Sequence, residues 1–243
     1  MCGIAGYFGE IPNSNNSLFE MINAINHRGP DNHGIWFDEN DGIGFAHSRL
    51  SIIDLSPAGH QPMHSVSNNL VMIFNGEIYN HNEIRSELEK ISNRNWHGHS
   101  DTETLLAAIE EWGLDSALRK TKGMFALALW DKLNKKLSLA RDRLGEKPLY
   151  YGWVNEKFVF ASELKSIKKF PGFNNQIDRS SLALFLRFNS IPAPYSIYKD
   201  ISKLEPGQIL KFYADSRKTE THNFWSIEKV YKDARKSKFS FTP

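Results

Sequence analysis

The sequence contains very little cysteine: one thiol, Cys2, in 243 residues. A single cysteine excludes an intrachain disulfide and a thiolate-rich structural zinc site, and it favours a reducing, cytoplasmic environment. Long apolar runs are also missing. No stretch approaches the ~20 residues that span a bilayer, and the N-terminus lacks the charged and apolar regions of a signal peptide. We therefore expect no membrane partner.

An excess of charge of one sign is absent as well. The chain has 30 basic and 28 acidic side chains, for a net charge of +2, so electrostatics give no reason to expect a nucleic-acid partner. Two histidine-containing segments, HRGPDNHG (27–34) and WHGHSD (96–101), do not match the usual metal-ligand spacings. We expect no metal site.

What the sequence does have is a majority of strand signals. Short apolar or aromatic segments between turn residues predict strands. These segments are CGIAGYF (2–8), IGFAHSRL (43–50), LVMIFNGEIYN (70–80), MFALALWD (124–131), KLSLARD (136–142), PLYYGWV (148–154), KFVFASEL (157–164) and QILKFY (208–213). The fourth and fifth read as a hairpin across Asn134-Lys135.

Helices are predicted in early and late groups. Ser-x-x-Glu boxes at Ser17 and Ser100 predict helix starts, the first helix running to about Asn26 and the second stopping at Gly113. Further helices are predicted over 82–91 and 180–188. Because strands and helices do not alternate regularly, the pattern indicates an α+β fold with largely antiparallel sheets.

Cys2 stands where a chain usually frays, so it could be a small hydrophobe without a role. Gly3 and Gly6, however, lie in a short apolar segment typical of a buried strand, which would hold Cys2 in place. If Met1 is removed, the α-amine of Cys2 (pKa ≈ 7.7–8.0) lies beside its own thiol (pKa ≈ 8.5). A nucleophile and its base would then share one residue.

Asn75-Gly76 allows two interpretations. Asn-Gly between apolar runs is the strongest short-range hairpin signal, and propensity alone favours a turn. Alternatively, the Asn75 side-chain amide and the Gly76 N–H could donate two hydrogen bonds to a tetrahedral oxyanion.

Three charged residues could bind a charged substrate. Arg49 lies in an apolar segment and needs a carboxylate, for which an internal aspartate is the simpler candidate. Asp101 follows a helix cap, where it interacts favourably with the helix dipole, but it could also bind an ammonium group. Glu77 could do the same or orient the Asn75 segment. Together the three would suit an amino-acid zwitterion. A fourth charged segment, RDRLGEKPLYY (141–151), is interpreted as a loop with internal ion pairs.

The ordered set of motifs resembles the class II glutamine amidotransferase domain, an N-terminal-nucleophile hydrolase. The motifs are Cys2-Gly3-Ile4, HRGPD (27–31), HSRLSI (47–52), NGEIYN (75–80), SDTE (100–103) and GMFALALWD (123–131). RDRLGEKPLYY (141–151), FASELKS (160–166) and SIYKDISKLEPGQIL (196–210) are similar to the glutamine-hydrolysing asparagine synthetase branch.

This resemblance implies a four-layer αββα sandwich of two stacked, mainly antiparallel sheets. It implies that Cys2 attacks the side-chain amide of L-glutamine, forming a γ-glutamyl thioester, and that Asn75 and Gly76 form the oxyanion hole. Arg49 would bind the substrate α-carboxylate and Asp101 the α-ammonium, with Ile53 and Glu77 completing the glutamine site.

The chain departs from the synthetases in one respect. It has no Ser-Gly-Gly-x-Asp-Ser loop and no other Gly-rich phosphate loop, so we expect no cofactor here and assign ATP and Mg²⁺ to an absent synthetase domain. Residues 1–225 are then a glutaminase domain, and 226–243 a linker or the start of that absent domain. Its partners would be glutamine and an ATP-dependent synthetase that receives the ammonia; a homodimer is also compatible. The alternative is a glutamine-binding or regulatory module with little turnover.

Overall fold

The computed structural model describes residues 1–236, which contain two six-stranded antiparallel sheets. The first sheet has the strand order β10-β8-β9-β1-β3-β2. Its strands are β1 (Gly3–Phe8), β2 (Asn32–Asp38), β3 (Ile43–Arg49), β8 (Tyr150–Val154), β9 (Lys157–Ala161) and β10 (Ile201–Lys203). The N-terminal strand β1 therefore lies inside the sheet, paired with β3 on one side and β9 on the other.

The second sheet has the order β12-β11-β7-β6-β5-β4. Its strands are β4 (Met63–His64), β5 (Leu70–Ile78), β6 (Gly123–Asp131), β7 (Lys136–Arg141), β11 (Gln208–Tyr213) and β12 (Lys218–Asn223). The predicted hairpin is confirmed, since β6 and β7 pair directly up to Asp131 and Lys136.

The described residues also contain seven α-helices. They are α1 (Ser14–Asn23), α2 (His81–Ile91), α3 (Asp101–Trp112), α4 (Leu114–Lys120), α5 (Leu164–Ile167), α6 (Arg179–Phe188) and α7 (Ile227–Lys236). Leu18 and Ile167 pack on the first sheet, Ile84 and Leu105 pack on the second, and a third core that includes Phe45 and Val71 fills the space between the sheets. The predicted four-layer αββα sandwich is confirmed.

Two local predictions are wrong. Asn75-Gly76 is not a turn, because both residues continue β5 and pair with Ala126 and Phe125 of β6. Ser17 is not a helix cap; α1 begins one turn earlier, and the Ser17 N–H bonds to the Asn13 carbonyl. The Ser100 cap is confirmed, since its hydroxyl accepts from the Glu103 N–H.

The sequence patterns missed seven elements, namely β2, β4, β10, β12, α4, α5 and α7. Strand β12 (Lys218–Asn223) contains no apolar residue, and its position at the sheet edge explains how a polar segment forms a strand. Within the predicted linker, residues 227–236 form α7, whereas 237–243 lie outside the described residues.

Candidate active site

One pocket collects every residue that the sequence nominated for the site. Its walls include Cys2, Arg49, Ile53, Asn75, Gly76, Glu77 and Asp101. They come from the residue before β1, the end of β3 and the loop after it in the first sheet, and from β5 and the start of α3 beside the second sheet. The αββα stacking therefore brings together residues up to 99 positions apart in sequence.

Cys2 is held at the start of β1. Its Sγ accepts from the Leu50 N–H at 3.4 Å and lies 3.6 Å from the Leu50 carbonyl, while Arg28 Nε donates to the Cys2 carbonyl at 2.9 Å. Burial raises the pKa of the thiol above its usual range, and the Leu50 N–H opposes that effect. Met1 occupies the pocket beside Cys2 and carries the α-amine.

Asn75 is a buried side chain whose amide has no partner. It is only 1% exposed, and neither its Nδ2 nor its Oδ1 has a hydrogen-bond partner within residues 1–236. Buried polar groups in folded proteins are nearly always paired, and an unsatisfied one costs about 1–3 kcal/mol. An amide left in this state at a pocket wall is prepared for a ligand.

The Gly76 N–H faces the same pocket. N–H groups of alternate residues in an antiparallel strand point to the same side. Those of Phe74 and Ile78 point away from β6, because they donate to Gln61 Oε1 at 2.6 Å and to Asp101 Oδ2 at 2.8 Å. The Gly76 N–H lies between them at the edge of β5, beyond the two residues that pair with β4.

Only glycine fits position 76. A Cβ there would collide with the Met124 carbonyl and would lie 2.6 Å from Phe125 Cβ. The N–H of Gly76 and the Nδ2 of Asn75 are thus two donors on adjacent residues of one rigid strand. Such a pair has the composition of an oxyanion hole.

Arg49 has no carboxylate partner, contrary to the simpler of its two interpretations. Its guanidinium donates to the backbone carbonyls of Asp54 and Ser56, the latter at 3.1 Å, and the residue is 8% exposed. None of the ion pairs found within residues 1–236 includes it. A buried guanidinium without a carboxylate partner can bind an incoming anion.

Asp101 contributes the opposite charge. It is the first residue of α3 and 5% exposed, and burial raises the pKa of its carboxyl from 3.8 to about 6. The neighbouring Glu77 raises that pKa further, while the Ile78 N–H opposes the shift. A cation bound between Asp101 and Glu77 would stabilise the ionised Asp101 carboxylate and offset its repulsion by Glu77.

Sequence reasoning assigned no site role to several other residues of the pocket wall, among them Gln61 and Lys147. Gln61 joins β5 to α3, since its Oε1 accepts from Phe74 and its Nε2 donates to Thr102 Oγ1 at 3.4 Å. No local pattern marks such a residue, because its importance arises only when β5 and α3 meet.

The RDRLGEKPLYY segment is held by backbone contacts, so the prediction of internal ion pairs is wrong. Arg141 donates to the carbonyls of Lys147, Leu204 and Gly145. The Asp142 carboxylate accepts from the backbone N–H groups of Phe125, Leu144, Glu146 and Lys147. This loop is thereby fixed to β6, opposite Gly76.

Within the described residues, no group of three or more His, Cys, Asp or Glu side chains is arranged to hold a metal ion. None of the helices in that part of the chain has the length and apolar character needed to cross a membrane.

Comparison with known sequences finds a family model and curated relatives that match most of this chain. A family model for the glutamine amidotransferase domain matches residues 1–225. Asparagine synthetase [glutamine-hydrolyzing] 1 of Bacillus subtilis is 39% identical over 212 residues, covering 85% of this chain and 33% of that protein. Amidase chry2 of Gibberella zeae is 33% identical over 250 residues, covering 97% and 36%. The chain spans less than half the length of these curated relatives.

Solved structures agree on the fold. A glutamine phosphoribosylpyrophosphate amidotransferase from B. subtilis matches with a TM-score of 0.66 at 18% identity, over 92% of this chain and 49% of that one. A second structure, described as the allosteric regulatory enzyme of purine biosynthesis, gives 0.67 at 19%, with the same coverage. The chain belongs to the class II glutamine amidotransferase family, and its domain is homologous to the glutaminase domains of glutamine-hydrolysing asparagine synthetases.

Proposed function

We propose that residues 1–225 hydrolyse L-glutamine to glutamate and ammonia. With Met1 removed, the α-amine of Cys2 takes the thiol proton, and the sulfur attacks the side-chain amide carbon. The C–N bond breaks, the nitrogen receives the proton, and ammonia leaves a γ-glutamyl thioester. Water then attacks the thioester and releases glutamate and the thiol.

The substrate would lie across the pocket from Arg49 to Cys2. Arg49 binds the α-carboxylate, Asp101 and Glu77 bind the α-ammonium, and Ile53 contacts the substrate from the 50–54 loop. Asn75 Nδ2 and the Gly76 N–H stabilise the oxyanion. The observation that carries this proposal is the Asn75 amide, which is fully buried and unpaired in the same pocket as Cys2.

The ammonia has a proposed use beyond this domain. The relatives are more than twice as long as the matched region, and their names include asparagine synthetases. We infer that the ammonia serves an ATP-dependent amidation, carried out in the cytoplasm by a synthetase domain or subunit that supplies the ATP and Mg²⁺ site. Residues 226–243 would lead toward that domain. The acceptor is a carboxylate, of which aspartate is one candidate.

The first experiment is a mass spectrum of the N-terminal peptide after incubation with a diazoketone analogue of glutamine. An adduct on a Met1-free Cys2, blocked by excess glutamine, is the expected result. The Cys2→Ala variant is the control and should remain unlabelled.

An unmodified Cys2 with Met1 already removed would contradict the proposal. If such a sample still bound glutamine in calorimetry, the alternative of a binding or regulatory module would replace it.

A further inference from the structure

Lys147 is a buried lysine at the active-site pocket that the proposed reaction does not use. It is 4% exposed and lines the same pocket as Cys2 and Asn75. Its ammonium makes one hydrogen-bond contact within the described residues, to Met1 Sδ at 3.0 Å. A thioether is a weak acceptor, and burying a charge without a carboxylate is costly.

Two hydrogen bonds to its backbone hold Lys147 in place. The Lys147 N–H donates to Asp142 Oδ2 at 3.0 Å, and its carbonyl accepts from Arg141 Nε at 2.8 Å. Asp142 also accepts from Phe125, the β6 residue paired with Gly76. The motif at 141–151 therefore places a primary amine against the side chain of Met1, on a loop tied to β6 opposite Gly76.

We propose that Lys147 is a positioning residue for the nucleophile's own base: its buried positive charge, released from Met1 when that residue is removed, keeps the α-amine of Cys2 in the neutral form that accepts the thiol proton. This inference deepens the proposed glutaminase function and rests on it.

The charges around the terminus support the assignment to Lys147. With Met1 in place the terminal amine is that of Met1, and the groups that act on it are the Cys2 thiol, Arg28, Lys147 and Glu77. Burial lowers the pKa of this amine, Arg28 and Lys147 lower it further, and Cys2 and Glu77 raise it. Removal of Met1 moves the terminal amine by one residue, to Cys2 in the same pocket. Arg28 is paired with Glu163 at 2.8 Å, whereas Lys147 has no carboxylate partner within residues 1–236. Arg49 and Asp101 act on the thiol.

The test is the α-amine titration in a background without chemistry. Cys2→Ala, with Met1 removed, is compared with the same protein carrying Lys147→Met or Lys147→Arg. The pH dependence of labelling by an amine-selective reagent is followed on the tryptic peptide 2–28, which contains no lysine, so its label reports only the α-amine. We expect the labelling midpoint to rise by about one pH unit in Lys147→Met and to stay in place in Lys147→Arg.

The enzyme with Cys2 intact gives the second measurement. The acid limb of the kcat/KM profile for glutamine should move to higher pH in Lys147→Met and not in Lys147→Arg. Lys135→Met is the matched control, because it removes a lysine charge paired with Asp41 at the opposite end of β6.

An unmoved labelling midpoint in Lys147→Met would overturn the inference, as would a rate loss equal at every pH. Because the labelling does not require catalysis, it tests Lys147 even if the wild-type protein hydrolyses no glutamine, which would contradict the proposed function alone.

Discussion

At the scale of single residues, we expect the unpaired amide of Asn75 to contribute to catalysis and not to the stability of the fold. Asn75→Ala removes a proposed oxyanion donor but breaks no hydrogen bond within the described residues. We expect kcat for glutamine hydrolysis to fall about 10²–10³-fold. The free energy of unfolding should stay the same or increase, because two unsatisfied polar atoms disappear. Steady-state kinetics and urea unfolding measure both quantities.

Asn80→Ala is the matched control for Asn75. Asn80 is also buried, but its amide is paired, donating to the Lys120 carbonyl at 3.0 Å and accepting from the Lys122 N–H at 2.7 Å. This variant should lose about 1–3 kcal/mol of stability and retain kcat. If Asn75→Ala were the less stable protein with kcat retained, Asn75 would be a structural residue only.

Asp101 is a second residue for which we expect a role in substrate binding and a cost to the stability of the fold. The pKa of its carboxyl is about 6 in the folded protein, above the ordinary value of 3.8, so the folded state binds this proton more tightly than the unfolded chain does. The folded state therefore loses stability as the pH rises from about 4 to 6. Asp101→Asn should therefore increase the free energy of unfolding at pH 8 by the order of 1–3 kcal/mol. It should also raise KM for glutamine at least tenfold.

The pH dependence provides the check on Asp101. Urea unfolding at pH 8 and pH 4 should show the gain in stability at pH 8 and little of it at pH 4, where wild-type Asp101 is already protonated when folded. A variant less stable than wild type at pH 8 would show that the ionised carboxylate stabilises the empty fold.

Sequence reasoning reached most of these residues, and its limits are physical. Cys2, Arg49 and Asp101 stand out because each is chemically unusual for its neighbourhood. Their meeting in one pocket is a property of the stacked sheets, which no spacing along the chain encodes. Lys147 and Gln61 were missed because an ordinary loop lysine or glutamine gains its role only from the distant elements that bury it.

At the scale of elements, the proposed role of β5 depends on the part of its edge that no neighbouring strand covers. The N–H groups of Phe74 and Ile78 are satisfied by side chains, leaving that of Gly76 available between them. Gln61→Leu should leave the Phe74 N–H unsatisfied and cost about 1–3 kcal/mol of stability. It should also lower kcat more than it changes KM, because Gln61 holds the oxyanion strand and not the substrate head group.

Thermal unfolding and steady-state kinetics test the Gln61 prediction. Gln61→Glu keeps the acceptor oxygen for Phe74 and should recover part of kcat. A kcat equal to that of wild type in Gln61→Leu would mean that β5 keeps its geometry without this contact.

The elements also show where pattern reading fails. Asn-Gly predicts a hairpin because isolated strands turn there, yet β5 continues through it to pair with β6 over nine residues. The long ladder and the packed core outweigh a local turn preference. Conversely, β12 has no apolar residue to produce a period, so only the assembled fold identifies it.

At the scale of the whole molecule, the N-terminus belongs both to the first sheet and to the candidate active site. Strand β1 is paired on both sides, and Met1, 54% exposed, lies beside Cys2 in the pocket. The fold should therefore tolerate an N-terminal extension, because added residues can leave toward solvent. Catalysis should not, since the extension converts the α-amine of Cys2 into an amide without basicity.

A cleavable extension that ends directly before Cys2 tests this separation. The uncleaved protein should unfold at the same temperature as the cleaved one but hydrolyse glutamine at least about 10²-fold more slowly, the contribution expected of a general base. Cleavage should restore glutamate release, while a control that keeps one glycine before Cys2 should stay inactive. Full activity in the uncleaved protein would show that another group accepts the thiol proton. The extension changes no side chain, and the only base that it removes is the α-amine of Cys2.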